Sequence, residues 1–256
     1  MAEEEKIREH AKHALQALTD KTKKWKDRIK DFLWEVFIIL VAVNITLWFH
    51  DWSQKRHERA QAKEFLIDIR ESLVQDTLNF RNYFNFMDNV LVYYDSVLFQ
   101  IDKNKIDAQY IDSLSYNLLN NMNVSINYGI YQSFSSGNNL RLIENRKLLN
   151  NIISLYTSLF PTVKSNHEIT TQKRIDTYEK YIALKTGYFN DGPTKLSTII
   201  HQPEVIYTFQ MGEGAIRNTN DYFKRFIIPR TDNLIQEIDK ELKDRFNYQV
   251  PEKKSR

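Results

Sequence analysis

The stretch FLWEVFIILVAVNITLWF, from Phe32 to Phe49, is a long apolar segment in a chain whose mean hydropathy is negative. Its eighteen residues contain one charged side chain, Glu35. A helix of this length spans about 27 Å, close to a hydrocarbon thickness of about 30 Å. Basic residues flank both ends, which would be unusual for a buried core helix, and the preceding 31 residues are too long for a cleaved signal peptide. The sequence therefore predicts a transmembrane helix at residues 32–49.

The residues around the span indicate how it sits in a membrane. Trp34 stands near its start, and Trp48 and Trp52 stand at its end, so we interpret all three as interfacial anchors. The fifteen residues before the span contain six basic side chains: Lys21, Lys23, Lys24, Lys26, Arg28 and Lys30. The fifteen after it contain four: Lys55, Arg56, Arg59 and Lys63. This excess predicts a cytoplasmic N-terminus and a translocated C-terminal domain.

Polar and small residues inside the span predict a contact with another helix. Glu35, Ala42 and Thr46 fall on one helix face, and Asn44 can hydrogen-bond across helices. Glu35 and Asn44 are costly in hydrocarbon unless they have a partner or lie near its edge. Glu35 lies one turn from the cytoplasmic boundary, so reaching the headgroups is the alternative interpretation. Our hypothesis is that the span contacts lipid and packs against another membrane protein or a second copy of itself.

The chain on either side of the span is also helical in pattern. Residues 1–31 predict a cytoplasmic amphipathic leader with a Lys-rich face, either lying on an anionic membrane surface or simply solvated. His10 and His13 could share a helix face there, and we interpret this spacing as chance on a surface helix. After the span, positions separated alternately by three and four residues form a seam: Leu66, Ile69, Leu73, Asp76, Phe80, Tyr83, Met87, Val90, Tyr94, Val97 and Ile101. A long helix of a bundle is predicted to about Ile101.

The rest of the chain predicts the return helices of this bundle. The six Gly and five Pro all lie between Gly129 and Pro251, and average usage would give roughly 18 and 13. Breaks are expected at residues 102–107, 135–138 and 187–193, with Pro161 and Pro229 dividing longer helices. We expect residues 211–214 (MGEG) to loosen the last helical region and Thr231 or Asp232 to cap the terminal helix. The predicted fold is all-α: a transmembrane helix continuing into a long helix of an extramembrane antiparallel bundle at residues 50–250, with a charged tail at 251–256.

Two stretches resemble a known family. The first runs from Leu47 to Asp76 and includes the exit motif DWSQKR at residues 51–56. The second runs from Tyr128 to Tyr156 and includes SSGN at residues 135–138, followed by Leu140, Leu142 and Ile143. Together they resemble a family of uncharacterised single-span membrane proteins with a helical soluble domain, common in Bacteroidota. The resemblance implies a bacterial inner-membrane protein with a periplasmic domain and implies no activity. Family members usually begin almost directly with the membrane segment, so the leader here departs from their pattern.

Several well-known catalytic motifs are absent from the sequence. The chain has no Cys, no His-Glu-x-x-His pattern, no Walker loop and no Gly-x-Ser-x-Gly elbow. Its net charge of +3 is too small to indicate nucleic acid. We therefore predict no enzyme, no catalytic residue, no cofactor, no metal site and no nucleic-acid partner. The sequence favours a membrane-anchored scaffold or accessory subunit. A sensory module that relays ligand binding to a separate output protein is the alternative, and a membrane-anchored enzyme of unfamiliar type ranks third.

Overall fold

The computed structural model describes residues 8–9, 12, 25–187 and 191–249, and every regular element among them is helical. The expected all-α fold is confirmed. The chain divides into two compact units, one up to Gln61 and one from Ala62 onward. Most of the predicted leader, including His10 and His13, and the whole tail at 251–256 lie outside the described residues.

The first described helix, α1, spans Trp25–Asp102. It contains no Gly or Pro, so nothing in its sequence breaks the backbone hydrogen bonds. Within the second unit its predicted seam faces the core. The ten seam positions from Leu66 to Val97 are at most 2% exposed, and Ile101 is half-buried. The helix ends at the predicted break, where Asn104 adopts a left-handed φ of 49°.

Short elements connect α1 to the next long helix. They are α2 (Ala108–Ser113), α3 (Ser115–Leu118), α4 (Gly129–Ser136) and a 3₁₀ turn (Asn139–Leu142). Asp107 caps α2 by accepting a hydrogen bond from the Tyr110 N–H at 3.0 Å. The predicted stop at residues 135–138 is confirmed, although Asn138 (φ 56°) and not Gly137 (φ −80°) takes the left-handed conformation.

A second helical stretch covers residues 146–186 without interruption. It comprises α5 (Arg146–Ser154), a π-helical segment (Leu155–Leu159), α6 (Phe160–Tyr178), a second π-helical segment (Glu179–Ala183) and α7 (Leu184–Thr186). Pro161 follows the first π-helical segment, at the start of α6. A proline ring clashes with the carbonyl four residues before it, and the wider π turn gives that carbonyl room. The expected local break is therefore a change of helix type within one helix.

The third helical stretch begins after α8 (Leu196–Ile199) and comprises α9 (Pro203–Tyr222), a π-helical segment (Phe223–Ile227) and α10 (Ile228–Phe246). Two expectations are wrong here. Residues 211–214 lie within α9 and do not interrupt it. Neither Thr231 nor Asp232 caps a helix, because the π turn carries the chain past Pro229 and α10 has already begun; the Thr231 hydroxyl instead donates to the Ile227 carbonyl at 3.0 Å.

Contacts between the long helices show their directions. Among the described residues, four ion pairs join α1 to the third stretch: Arg70–Asp239, Arg81–Asp232, Asp88–Lys224 and Asp95–Arg217. Two ring contacts join α1 to the second stretch: Phe80–Phe160 and Tyr83–His167. As the residue numbers rise along α1, the numbers of the contacting residues fall in the third stretch and rise in the second. The third stretch is therefore antiparallel to α1, and the second is parallel to it because residues 103–145 bring the chain back between them.

Candidate functional site

The predicted membrane span lies in α1 and is exposed. Residues 40–49 are all exposed, and none of the most apolar 18-residue window is buried inside the chain. Among the described residues, α1 alone is long and apolar enough to cross a membrane. The described chain leaves this apolar surface uncovered.

The predicted partner-contact residues in the span do not all share a face. Helix geometry brings Glu35, Ala42 and Thr46 together, whereas Asn44 lies roughly 200° around the helix from Ala42. The Asn44 Nδ2 donates to the Leu40 carbonyl at 2.6 Å, and the Thr46 hydroxyl donates to the Ala42 carbonyl at 3.0 Å. These bonds to the helix backbone lower the cost of placing both side chains in hydrocarbon. Asn44 keeps its Oδ1 and a second N–H for a neighbouring helix.

The three predicted interfacial tryptophans are solvent-exposed. Trp34, Trp48 and Trp52 have exposed fractions of 64%, 65% and 44%. The Arg56 guanidinium lies over the Trp52 ring, 4.9 Å from its centroid. An aromatic ring beside a cation at one end of an apolar stretch is typical of a membrane–water boundary.

A buried carboxylate stands at the polar position of the seam. Asp76 is 2% exposed and accepts hydrogen bonds from the Asn127 N–H, at 3.1 Å to Oδ1 and 3.4 Å to Oδ2. No described residue forms an ion pair with it. Burial therefore raises the pKa of Asp76 to about 6, and the Asn127 bond only partly offsets this rise.

Residues that carry hydroxyl groups lie near this carboxylate. Burial and the charge of Asp76 raise the pKa values of Tyr128 and Tyr156, while the neighbouring Ser72 hydroxyl lowers that of Tyr156. Within the described chain, Ser72 Oγ and Tyr156 OH are buried and have no hydrogen-bond partner. We call Ser72, Asp76, Asn127, Tyr128 and Tyr156 the Asp76 cluster. Buried polar groups left without partners are rare and indicate strain, a function or a bound water or ion.

A second cluster of buried polar side chains lies further towards the C-terminal end of α1. The Tyr83 hydroxyl is 3.1 Å from His167 Nδ1. Burial lowers the pKa of His167, and the nearby Arg174 charge lowers it further, which favours the neutral imidazole. Arg174 is 3% exposed and donates to the carbonyls of Leu118 and Asn120 at 3.3 and 3.0 Å. These bonds fix the loop before α4 to α6, which is a structural role.

A polar groove opens between α5 and α10, with a cavity volume of about 410 Å³. It is lined by Asn151, Ser154, Leu155, Leu159, Arg230, Asn233, Leu234 and Glu237. The two sides of the groove are joined where Asn151 Nδ2 of α5 donates to the Glu237 carboxylate of α10 at 2.6 Å. The volume lies within the range of small-molecule sites, roughly 300–1,000 Å³.

Comparisons with protein-family models, with curated proteins and with solved structures find no match for this chain. Among the described residues, no group of three or more His, Cys, Asp or Glu side chains could hold a metal ion together.

Sequence reasoning placed Asp76 in the seam but assigned it no role, so the Asp76 cluster was missed, although one signal for it was present. Asp76 was visible as the one charged residue of an apolar seam, and Ser72 precedes it by one helical turn. Asn127 lies 51 residues further along the chain, so no local spacing could connect it to Asp76. Local spacing could not have predicted the groove either, because its two sides come from α5 and α10.

Proposed function

We propose that this chain is a non-enzymatic, membrane-anchored scaffold or accessory subunit. Its span would be anchored in a bacterial inner membrane and contact a membrane protein complex, and its helical bundle would present a docking surface on the periplasmic side. The observation that carries the proposal is the apolar part of α1, of which no residue in the 18-residue window is buried by the chain itself. Lipid and a partner helix are the surroundings that would cover such a surface.

The partner contact is tested by replacing the polar residues of the span. We expect the double variant Glu35→Leu and Asn44→Leu to lose a co-purifying membrane protein several-fold, because Asn44 would no longer offer its free amide groups to a neighbouring helix. The measurement is quantitative proteomics of complexes isolated from native membranes in mild detergent. Ile45→Leu, an exposed apolar change in the same helix, is the matched control. An unchanged complex in the double variant would count against the proposed contact.

The proposed orientation has its own test. The six basic residues before the span against four after it favour a cytoplasmic N-terminus. We expect a reporter that is active only in the periplasm to be active when it is fused after Arg256. A reporter that is active only in the cytoplasm should be silent at the same position, and the reverse result would invert the topology.

A ligand-binding sensory module is the second candidate function. The polar groove between α5 and α10 favours it, because its volume suits a small molecule. Mass spectrometry of the purified protein distinguishes the two candidates. A stoichiometric protein partner supports the accessory subunit, whereas a small molecule retained by a protein without partners supports the sensory module.

A further inference from the structure

We propose that the Asp76 cluster binds one monovalent alkali cation through the Asp76 carboxylate and the hydroxyl groups of Ser72 and Tyr156. This inference is independent of the membrane role. It begins with the charge of Asp76, which is 2% exposed and makes no ion pair with any described residue. A buried carboxylate without a countercharge carries a desolvation cost, and a bound cation offsets it.

The two hydroxyl groups supply the second observation. Ser72 and Asp76 lie one helical turn apart on α1, so their side chains share a face. Tyr156, in the first π-helical segment, lies near both residues, since the charge of Asp76 raises its pKa and the Ser72 hydroxyl lowers it. Ser72 Oγ and Tyr156 OH are both buried, and neither makes a hydrogen bond of ordinary geometry in the described chain, although the Ser72 hydroxyl is near enough to lower the pKa of Tyr156. Buried hydroxyl oxygens near a charge that lack well-formed hydrogen bonds have lone pairs to offer to a species between them.

The chemistry of the donor set identifies the class of ion. All the donors are oxygen atoms, which suit hard cations. The cluster contains a single carboxylate, so a monovalent ion balances its charge, whereas calcium sites typically combine several carboxylates. The surrounding rings exclude bulk water: Tyr131 stacks on Tyr156 at 4.9 Å between centroids, and Phe160 packs edge-on against Tyr156 at 5.2 Å. Sodium and potassium share this chemistry and are separated by experiment.

Thermal unfolding of the full-length protein in detergent tests the proposal. At pH 7.5 and constant ionic strength, tetramethylammonium chloride is replaced by NaCl or KCl up to 150 mM. A cation that binds only the folded state raises Tm with its concentration, and we expect a rise of about 3–5 °C for the better fitting ion. The ion that gives the larger rise is the preferred occupant. Equal Tm values in all three salts would overturn the proposal and leave a water molecule as the bridging species.

Three variants locate the effect. Asp76→Asn keeps an acceptor for the Asn127 N–H and removes the charge, so it should abolish the salt-specific rise, while Ser72→Ala should reduce it. Glu71→Gln removes a neighbouring exposed carboxylate and should respond like the unchanged protein. A response retained in Asp76→Asn would overturn the proposal. Anomalous diffraction from crystals soaked in rubidium chloride provides a measurement that needs no variant: a peak beside Asp76 supports the site, and none there refutes it.

Discussion

Replacing Gly212 by alanine should destabilise the bundle by about 1–3 kcal/mol, whereas the same change at Gly214 should stabilise it by about 1 kcal/mol. Both residues lie in α9, where alanine is the better helix former. At Gly214 an added Cβ meets no atom within 4 Å, so only this helical preference acts. At Gly212 the added Cβ would lie 2.3 Å from Cε1 of Tyr94, closer than real Cβ contacts allow.

The Tyr94 ring cannot easily move away from such a Cβ. It is 2% exposed, its hydroxyl donates to the Leu118 carbonyl at 2.8 Å, and it packs edge-on against Phe209 at 5.9 Å between centroids. Relief would therefore require α9 to move away from α1 or the Leu118 bond to break. Urea unfolding followed by circular dichroism measures both variants against the unchanged protein. If Gly212→Ala were as stable as Gly214→Ala, the close approach of α9 to Tyr94 would be refuted.

The contrast between these two glycines shows what the sequence can predict. Spacing alone predicted which face of α1 is buried, because a period of three to four residues is a local property of one helix. It could not separate Gly212 from Gly214, because the difference is made by Tyr94, more than a hundred residues earlier. Local reasoning also misplaced the start of the last helix, since Thr231 is a good capping residue only if the helix has not already begun.

The candidate site also combines a feature that is visible in the local sequence with features that only the folded chain creates. Asp76 is the one acid at an apolar seam position, and such an acid needs a physical reason, but sequence reasoning assigned it none. The reason depends on Asn127 and Tyr156, which only the folded chain brings to it. Within the span, by contrast, the polar residues were visible at once because an apolar stretch makes them conspicuous. Whether Glu35, Ala42, Asn44 and Thr46 contact a partner remains a prediction, as does the anchoring role of the tryptophans.

Asp76 should make the folded state less stable as the pH rises, the opposite of an ordinary salt-bridged carboxylate. Burial raises its pKa from 3.8 to about 6. The folded chain therefore binds a proton more strongly than the unfolded chain between these values. It follows that the free energy of unfolding falls as the pH rises through this window, and the loss is complete above about pH 6. This carboxyl group alone should account for at most about 2 kcal/mol between pH 4.5 and 7.5.

Asp76→Asn isolates the contribution of this one carboxyl group from those of the other titratable groups. The amide is uncharged at every pH and has nearly the shape of the carboxyl group, and its oxygen can still accept the Asn127 N–H. The difference in unfolding free energy between the variant and the unchanged protein should therefore grow in favour of the variant from pH 4.5 to 7.5. Urea titrations in tetramethylammonium chloride measure it without competition from small cations. Glu71→Gln, at an exposed carboxylate of the same helix, is the matched control. A constant difference between Asp76→Asn and the unchanged protein would mean that Asp76 titrates at its ordinary pKa, and its carboxylate would then already be stabilised by the folded chain.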